Sequence, residues 1–207
     1  MKIFRAVLLA CLAFPCAAAD KAKTQESLLM QQQVSAHGID EALTKAAPLP
    51  LAPGKKLKRA ITPKNPVLEL DGRRVFYDVY SMSGRAGQRF ELQVASFCKC
   101  FGFDKTIIVP NIVLMSEGKA VGAQTRTEGK AAAGLTPLHY LTTLAGTFPG
   151  DAPVQILLYG DTGDVGSTVA SVTGSSYVAA TGTSLTIGAF AITKSPVGNI
   201  IIELTAD

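Results

Sequence analysis

The chain has no tryptophan, two histidines and four cysteines among its 207 residues. Each scarcity closes off a kind of chemistry. Sugar-binding platforms usually stack the ring on tryptophan, and none is available. A zinc site needs four convergent donors, but two of the cysteines lie near the N-terminus, leaving only Cys98, Cys100, His37 and His139. No metal is expected. His139 is not accompanied by a serine in a Gly-x-Ser-x-Gly turn. Gly160, Gly163 and Gly166 are followed by neither Lys-Ser/Thr nor a helical pattern, so the phosphate-loop reading fails. No second apolar run is long enough to span a membrane. No cofactor and no catalytic residue is expected.

What is present begins at the N-terminus. Lys2 and Arg5 form a positive n-region, residues 6–14 are apolar but too short to cross a bilayer, and Pro15 ends the run. Ala17-Ala18-Ala19 then offers small residues before Asp20. The pattern is that of a secretory signal peptide over residues 1–19, which makes the expected location periplasmic. Leu8-Leu9-Ala10-Cys11 is a lipobox-like alternative with a very short apolar core, and Pro15 precedes Cys16 where a small residue is needed. Cleavage after Ala19 removes both cysteines, so a soluble product is expected rather than a lipoprotein.

The remaining 188 residues suit one sizeable core. The signal carries no acid, so 18 basic residues face 16 acidic ones, a net charge of +2. No nucleic-acid partner is expected on that balance. Lys55, Lys56, Lys58, Arg59 and Lys64 form a basic run, while residues 145–207 hold five acids and Lys194 as the one base. A solvated strip meeting an acidic rim of the same domain accounts for this, with a polyanion or lipid site as the alternative.

Residues 24–34, with Thr24 as a candidate N-cap, read as a short helix ended by Gly38; another turn is expected at residues 40–45. The apolar face is narrow, so the 20–45 segment is expected to dock weakly and to be dispensable for folding. Pro48, Pro50, Pro53 and Gly54 mark a boundary. From Leu57 onward the pattern has period two: Val67-Leu68-Glu69-Leu70, an Asp71-Gly72 turn, Val75-Phe76-Tyr77-Asp78-Val79-Tyr80, alternation from Phe90, and strands at residues 138–144, 154–159 and 200–204. Residues 106–115 are interrupted by Pro110, which suggests an edge or a bulge. Residues 160–188, rich in Gly, Ser and Thr, have weak periodicity and are expected to contain a long loop. The expected fold is all-β, an antiparallel, jelly-roll-like sandwich over residues 46–207.

Asp161-Thr162-Gly163 matches the tripeptide of aspartic proteases. A second carboxylate would have to share the proton, Gly160 and Asp164 depart from the protease pattern, and Asp-Thr-Gly-Asp after a strand is good turn chemistry. Cys98-Lys99-Cys100 is a disulfide candidate, since secreted cysteines are rarely free. Whether the two pair with each other or with a partner stays open. The aromatics Phe76, Tyr77, Tyr80, Phe90, Phe97, Phe101 and Phe103 are mostly core candidates.

The order of several motifs carries a resemblance: Leu49-Pro50-Leu51 and Gly54, Asn65-Pro66-Val67 with Glu69 and Gly72, and Arg74-Val75-Phe76-Tyr77. They continue with Ala86-Gly87, Val94-Ala95-Ser96, Val109-Pro110-Asn111-Ile112-Val113-Leu114, a strand ending in Gly-Asp-Thr, and Ser195-Pro196-Val197-Gly198-Asn199-Ile200. Over about residues 46–207 this resembles the maltose operon periplasmic protein family. The resemblance implies a secreted β-sandwich without catalytic residues, linked to maltodextrin uptake. The expected function is therefore a non-enzymatic accessory or binding protein, its partner an envelope protein or an oligosaccharide. The alternatives are a module like the pre-peptidase C-terminal domains and an envelope hydrolase with an unrecognised site. A flat exposed sheet or shallow groove favours the binding module.

Overall fold

A computed structural model describes residues 14–98, 105–130, 139–172, 175–178, 184–187 and 190–207. In chain order it contains α1 (Phe14–Gln31), β1 (Ala36–His37), α2 (Ile39–Lys45), β2 (Leu49–Pro50), β3 (Lys56–Ile61), β4 (Val67–Leu70), β5 (Arg73–Met82) and β6 (Arg89–Phe97). There follow β7 (Thr106–Ile107), β8 (Pro110–Ser116), β9 (Lys119–Ala120), β10 (Ala123–Lys130), β11 (His139–Thr147) and β12 (Val154–Gly160). The last are β13 (Thr168–Val172), β14 (Ser175–Val178), β15 (Ser184–Ile187), β16 (Phe190–Lys194) and β17 (Gly198–Ala206).

The local rules that create these strands are visible in their turns. Asp71 and Gly72 both have positive φ, 50° and 74°. Two consecutive left-handed residues make the two-residue turn whose twist matches a right-twisted hairpin, and β4 and β5 pair antiparallel across it. Pro110, which has no N–H to give a ladder, stands at the first position of β8, opposite Gly160.

Two sheets face each other in an all-β sandwich. One has the order β1-β4-β5-β12-β8-β9, with β2 also on β5; the other runs β10-β11-β6-β17-β3. Smaller sheets are β13-β16-β7 and β14-β15. Pairing is mostly antiparallel, with parallel contacts at β1–β4, β2–β5 and β7–β16. Alternation fills the core between the sheets. Phe76, Tyr80 and Met82 of β5 and Val154, Ile156 and Leu158 of β12 meet Phe90, Leu92 and Val94 of β6 and Ile200, Ile202 and Leu204 of β17.

The opposite faces of β5 and β12 are apolar too. Val75, Tyr77, Val79 and Leu157 form a second buried cluster with Leu68 and with Ala36, Ala42 and Leu43 of the N-terminal segment. The α2 helix that supplies Ala42 and Leu43 is fixed at its start by Glu41, whose carboxylate accepts from the His37 N–H, a capping-box-like contact. The α1 helix packs on β16 and β5. Its Ala22 and Leu29 are buried, Gln25 accepts from the buried Ser195 hydroxyl at 2.7 Å, and Arg74 donates to the Met30 and Gln32 carbonyls at its C-terminal end.

Two expectations need correction. The 20–45 segment is not a weakly docked appendage: its apolar residues are few, but Ala36, Ala42 and Leu43 cover the outer face of the central strand pair and Leu29 enters the core between the sheets. The helix also begins at Phe14, and Thr24 sits within it, its hydroxyl bonded to the Asp20 carbonyl, rather than capping it. Within residues 160–188 the described parts include β13, β14 and β15, where Ser and Thr pair into strands despite weak hydrophobic alternation. Two further strands, β3 and β10, were hidden by their charges.

Deleting residues 20–45 is therefore expected to abolish the cooperative unfolding transition in urea, and Leu29→Ala to cost about 2–4 kcal/mol. Retention of a sharp transition by the deletion variant would contradict this packing.

Candidate functional site

The five-stranded sheet has one face in the core and one turned outward. Among the described residues, α1 approaches the outward face at its Phe97 end. The ladder sets its side chains in rows. Phe97 stands between His139 and Asn199, Ala95 between Leu141 and Ile201, Gln93 between Thr143 and Glu203, and Glu91 between Ala145 and Thr205. The face is thus aromatic and aliphatic near Phe97 and polar near Glu91. Its charges are partly neutralised in place, through Lys56–Glu203 at 3.1 Å, Arg126–Glu128 and a Gln93-to-Glu91 hydrogen bond of 2.6 Å.

Phe97 and His139 stack with ring centroids 5.8 Å apart and planes 31° from parallel. Beside them opens a shallow groove of about 760 Å³ whose walls include Lys58, Thr62, Asn65, Phe97, Asn199 and Ile201. A smaller hollow of about 190 Å³ adjoins it and is closed by Lys21 and Gln25 of α1. At the other end of the same strands a second groove of about 450 Å³ lies among Arg89, Glu91, Thr147, Thr205 and Asp207. The largest falls within the range of small-ligand sites.

One wall of the Phe97 groove is held by a polar cluster reaching across the sandwich. Arg59 of β3 donates to Asp78 Oδ2 of β5 at 3.1 Å, and the Tyr80 hydroxyl donates to the same oxygen at 2.9 Å. Burial pushes the Tyr80 phenol well above its ordinary range, with the Asp78 charge adding to the effect. The hydrogen bond to Asp78 holds the Arg59 guanidinium protonated. Of the basic run, then, Lys56 and Arg59 pair with acids of this domain, Glu203 and Asp78. Asn65 Oδ1 accepts from the N–H and hydroxyl of Thr62, which fixes the groove's corner.

Asp161 follows β12 in a turn. Its Oδ1 accepts from the Gly163 N–H at 2.8 Å and its Oδ2 from Lys194 Nζ at 2.7 Å. Lys194 also donates to the Gly163 carbonyl at 2.7 Å, and its side chain is only 13% exposed. Burial raises the Asp161 pKa, but the bond from Lys194, the Gly163 N–H and the charges of Lys194 and Arg73 outweigh it and hold the carboxyl below its ordinary value. A carboxylate so held is a turn anchor, as its sequence context suggested.

Cys98 is nearly buried, beside Ile107 and Ile192, and is disulfide-bonded. Its candidate partner Cys100 lies outside the described residues, as do Phe101, Phe103 and Cys11. His37 and His139 lie on different sheets, and His37 is exposed near Glu69. Among the described residues no group of three or more His, Cys, Asp or Glu could hold a metal. No described helix is long and apolar enough to cross a membrane.

The architecture defines an all-β sandwich with one open sheet face. No protein-family model, curated protein or solved structure matches the chain.

The sequence identified Asp161, Cys98 and His139 as residues to weigh but not the face that assembles Phe97 with His139 and Asn199. Those three are far apart in the chain and meet only through register. The alternation in β6 was the one available signal, since it marks which residues share Phe97's side.

The Asp161–Lys194 pair is expected to stabilise the fold by about 1 kcal/mol, because water screens a carboxylate this exposed. A depressed folded-state pKa means the contribution is complete above the carboxyl's ordinary value of 3.8 and lost as pH falls through the lower folded value. Asp161→Asn should therefore destabilise at pH 7 and converge with the wild type in acid, as followed by urea midpoints across pH.

Proposed function

We propose that the protein is a secreted, periplasmic, non-enzymatic binding module that holds an extended oligosaccharide of the maltodextrin type against the outward face of its five-stranded sheet. The observation that carries this reading is the Phe97 groove. A ring stacked on His139 offers an apolar plane to the C–H face of a sugar, and Asn199 and Thr62 place an amide and a hydroxyl beside it for sugar hydroxyls. An open groove suits a chain that extends past both ends. The single aromatic plane predicts weak binding.

Two sequence features support the same reading. The resemblance to the maltose operon periplasmic family links such a module to maltodextrin uptake, and the N-terminal pattern supports export with cleavage after Ala19. That cleavage falls inside α1 and leaves Ala22, Gln25 and Leu29, the residues by which the helix docks, on the exported chain.

Titration with maltodextrins of increasing length is expected to give weak saturable heats, with chemical-shift changes centred on Phe97, His139, Asn199 and Ile201. Phe97→Ala should weaken binding about tenfold, the scale of one aromatic contact, with the circular dichroism spectrum unchanged. Lack of saturable binding, or shifts centred elsewhere, would overturn the ligand assignment. Glycoside or peptide hydrolysis abolished by Asp161→Asn would overturn the non-enzymatic reading. Protein from a periplasmic extract should begin Asp20-Lys21-Ala22; a lipid on Cys11 or Cys16 would refute the soluble location.

A further inference from the structure

The two edges of the five-stranded sheet are built differently. One edge, β3, carries Lys56 and Lys58 on its outward side, and lysine on an exposed edge is a common defence against pairing with a second copy. The other edge, β10, is eight residues long, and among the described residues only β11 pairs with it. Its charges alternate in sign: Arg126 and Glu128 stand two residues apart, on the same face, and pair with each other.

Beyond Ala123, which packs against the core, the core-side face of β10 is also uncovered. Thr125 and Thr127 are exposed, whereas their register partners on β11, Leu144 and Thr142, are 4% exposed. The opposing sheet ends at β8 and the two-residue β9. This end of β10 therefore projects beyond the sandwich with an open ladder edge and short β-branched side chains.

We infer that β10 is a self-association edge, pairing antiparallel with β10 of a second copy about a two-fold axis through Thr127. The register follows from the charges. An axis at residue 127 sets Arg126 opposite Glu128 of the other copy twice over, and opposite charges directly across a ladder attract. An axis at Arg126 or at Glu128 would set that residue against its own like charge. The contact is isologous, so it closes at two copies and does not propagate. It joins two five-stranded sheets into one ten-stranded sheet and places the two outward faces side by side. An edge-only contact buries little surface, which makes it a weak, concentration-dependent dimer.

Sedimentation equilibrium of the full chain is expected to show a monomer–dimer equilibrium that weakens as salt rises. Arg126→Glu alone and Glu128→Arg alone should each weaken it at least about tenfold, by setting like charges across the axis, while the double exchange restores it. In a Cys11→Ser/Cys16→Ser background, Thr127→Cys should oxidise to a covalent dimer, because residues opposed across a ladder lie within disulfide reach. Thr125→Cys, which faces Gly129 of the other copy, should not. Melting curves report whether each variant stays folded. A monomer at every concentration, a dimer indifferent to the single reversals, or equal cross-linking through residues 125 and 127 would overturn the inference.

Discussion

The two-sided burial of the β5–β12 pair governs the rest of the molecule. Both strands present apolar side chains alternately to two faces, so each face must be covered. Every large side chain left in water there forfeits about 1.5–3 kcal/mol of hydrophobic stabilisation. The five-stranded sheet covers one face, with Leu29 of α1 entering the same cluster; α2 and β1 cover the other. Among the described residues no third layer lies on the outward side of the five-stranded sheet. Half-buried polar residues, the aliphatic Ala95, Leu141 and Ile201 and the Phe97 ring occupy that side.

The same constraint explains why a weakly amphipathic N-terminal segment is integral. Its contribution rests on small residues, Ala22, Ala36 and Ala42, that let backbone approach backbone, and on polar ties such as Gln25–Ser195 and Arg74 at the α1 terminus. Buried hydrogen bonds of this kind each add modest net stability, but leaving one partner unpaired is costly. Position is fixed by those ties, while the packed alanines and Leu29 provide the attraction.

Strands with clean alternation or two-sided apolar character were legible in the sequence: β4, β5, β6, β12 and β17 fall within a few residues of their expected places, as does the Asp71-Gly72 turn. Illegible were strands whose partners supply the burial. In β3, cations stand where alternation would be read, although Ile61 and Leu57 turn inward; β10 is threonine and charge. The docking of α1 was hidden because alanine in a helix carries almost no hydrophobic signal, whatever surface it ends up touching. The candidate site was least legible, because Phe97, His139 and Asn199 are brought into one row by two register choices, β6–β11 and β6–β17. Register is a property of paired strands and not of any single segment. Asp161 illustrates the converse: its role as a turn anchor was local, and local rules sufficed.

The place of β17 in its sheet has a kinetic consequence. β3 and β6 do not touch as neighbours; both pair with β17, which lies between them. Residues 56–61 therefore wait for residues 198–206 before their ladder can form, and the edge of β6 that pairs with β17 stays open until then. Loop closure over so long a stretch is slow. During synthesis the ladder between β3 and β17, and with it the central place of β17 in the sheet, cannot form until residues 198–206 have left the ribosome.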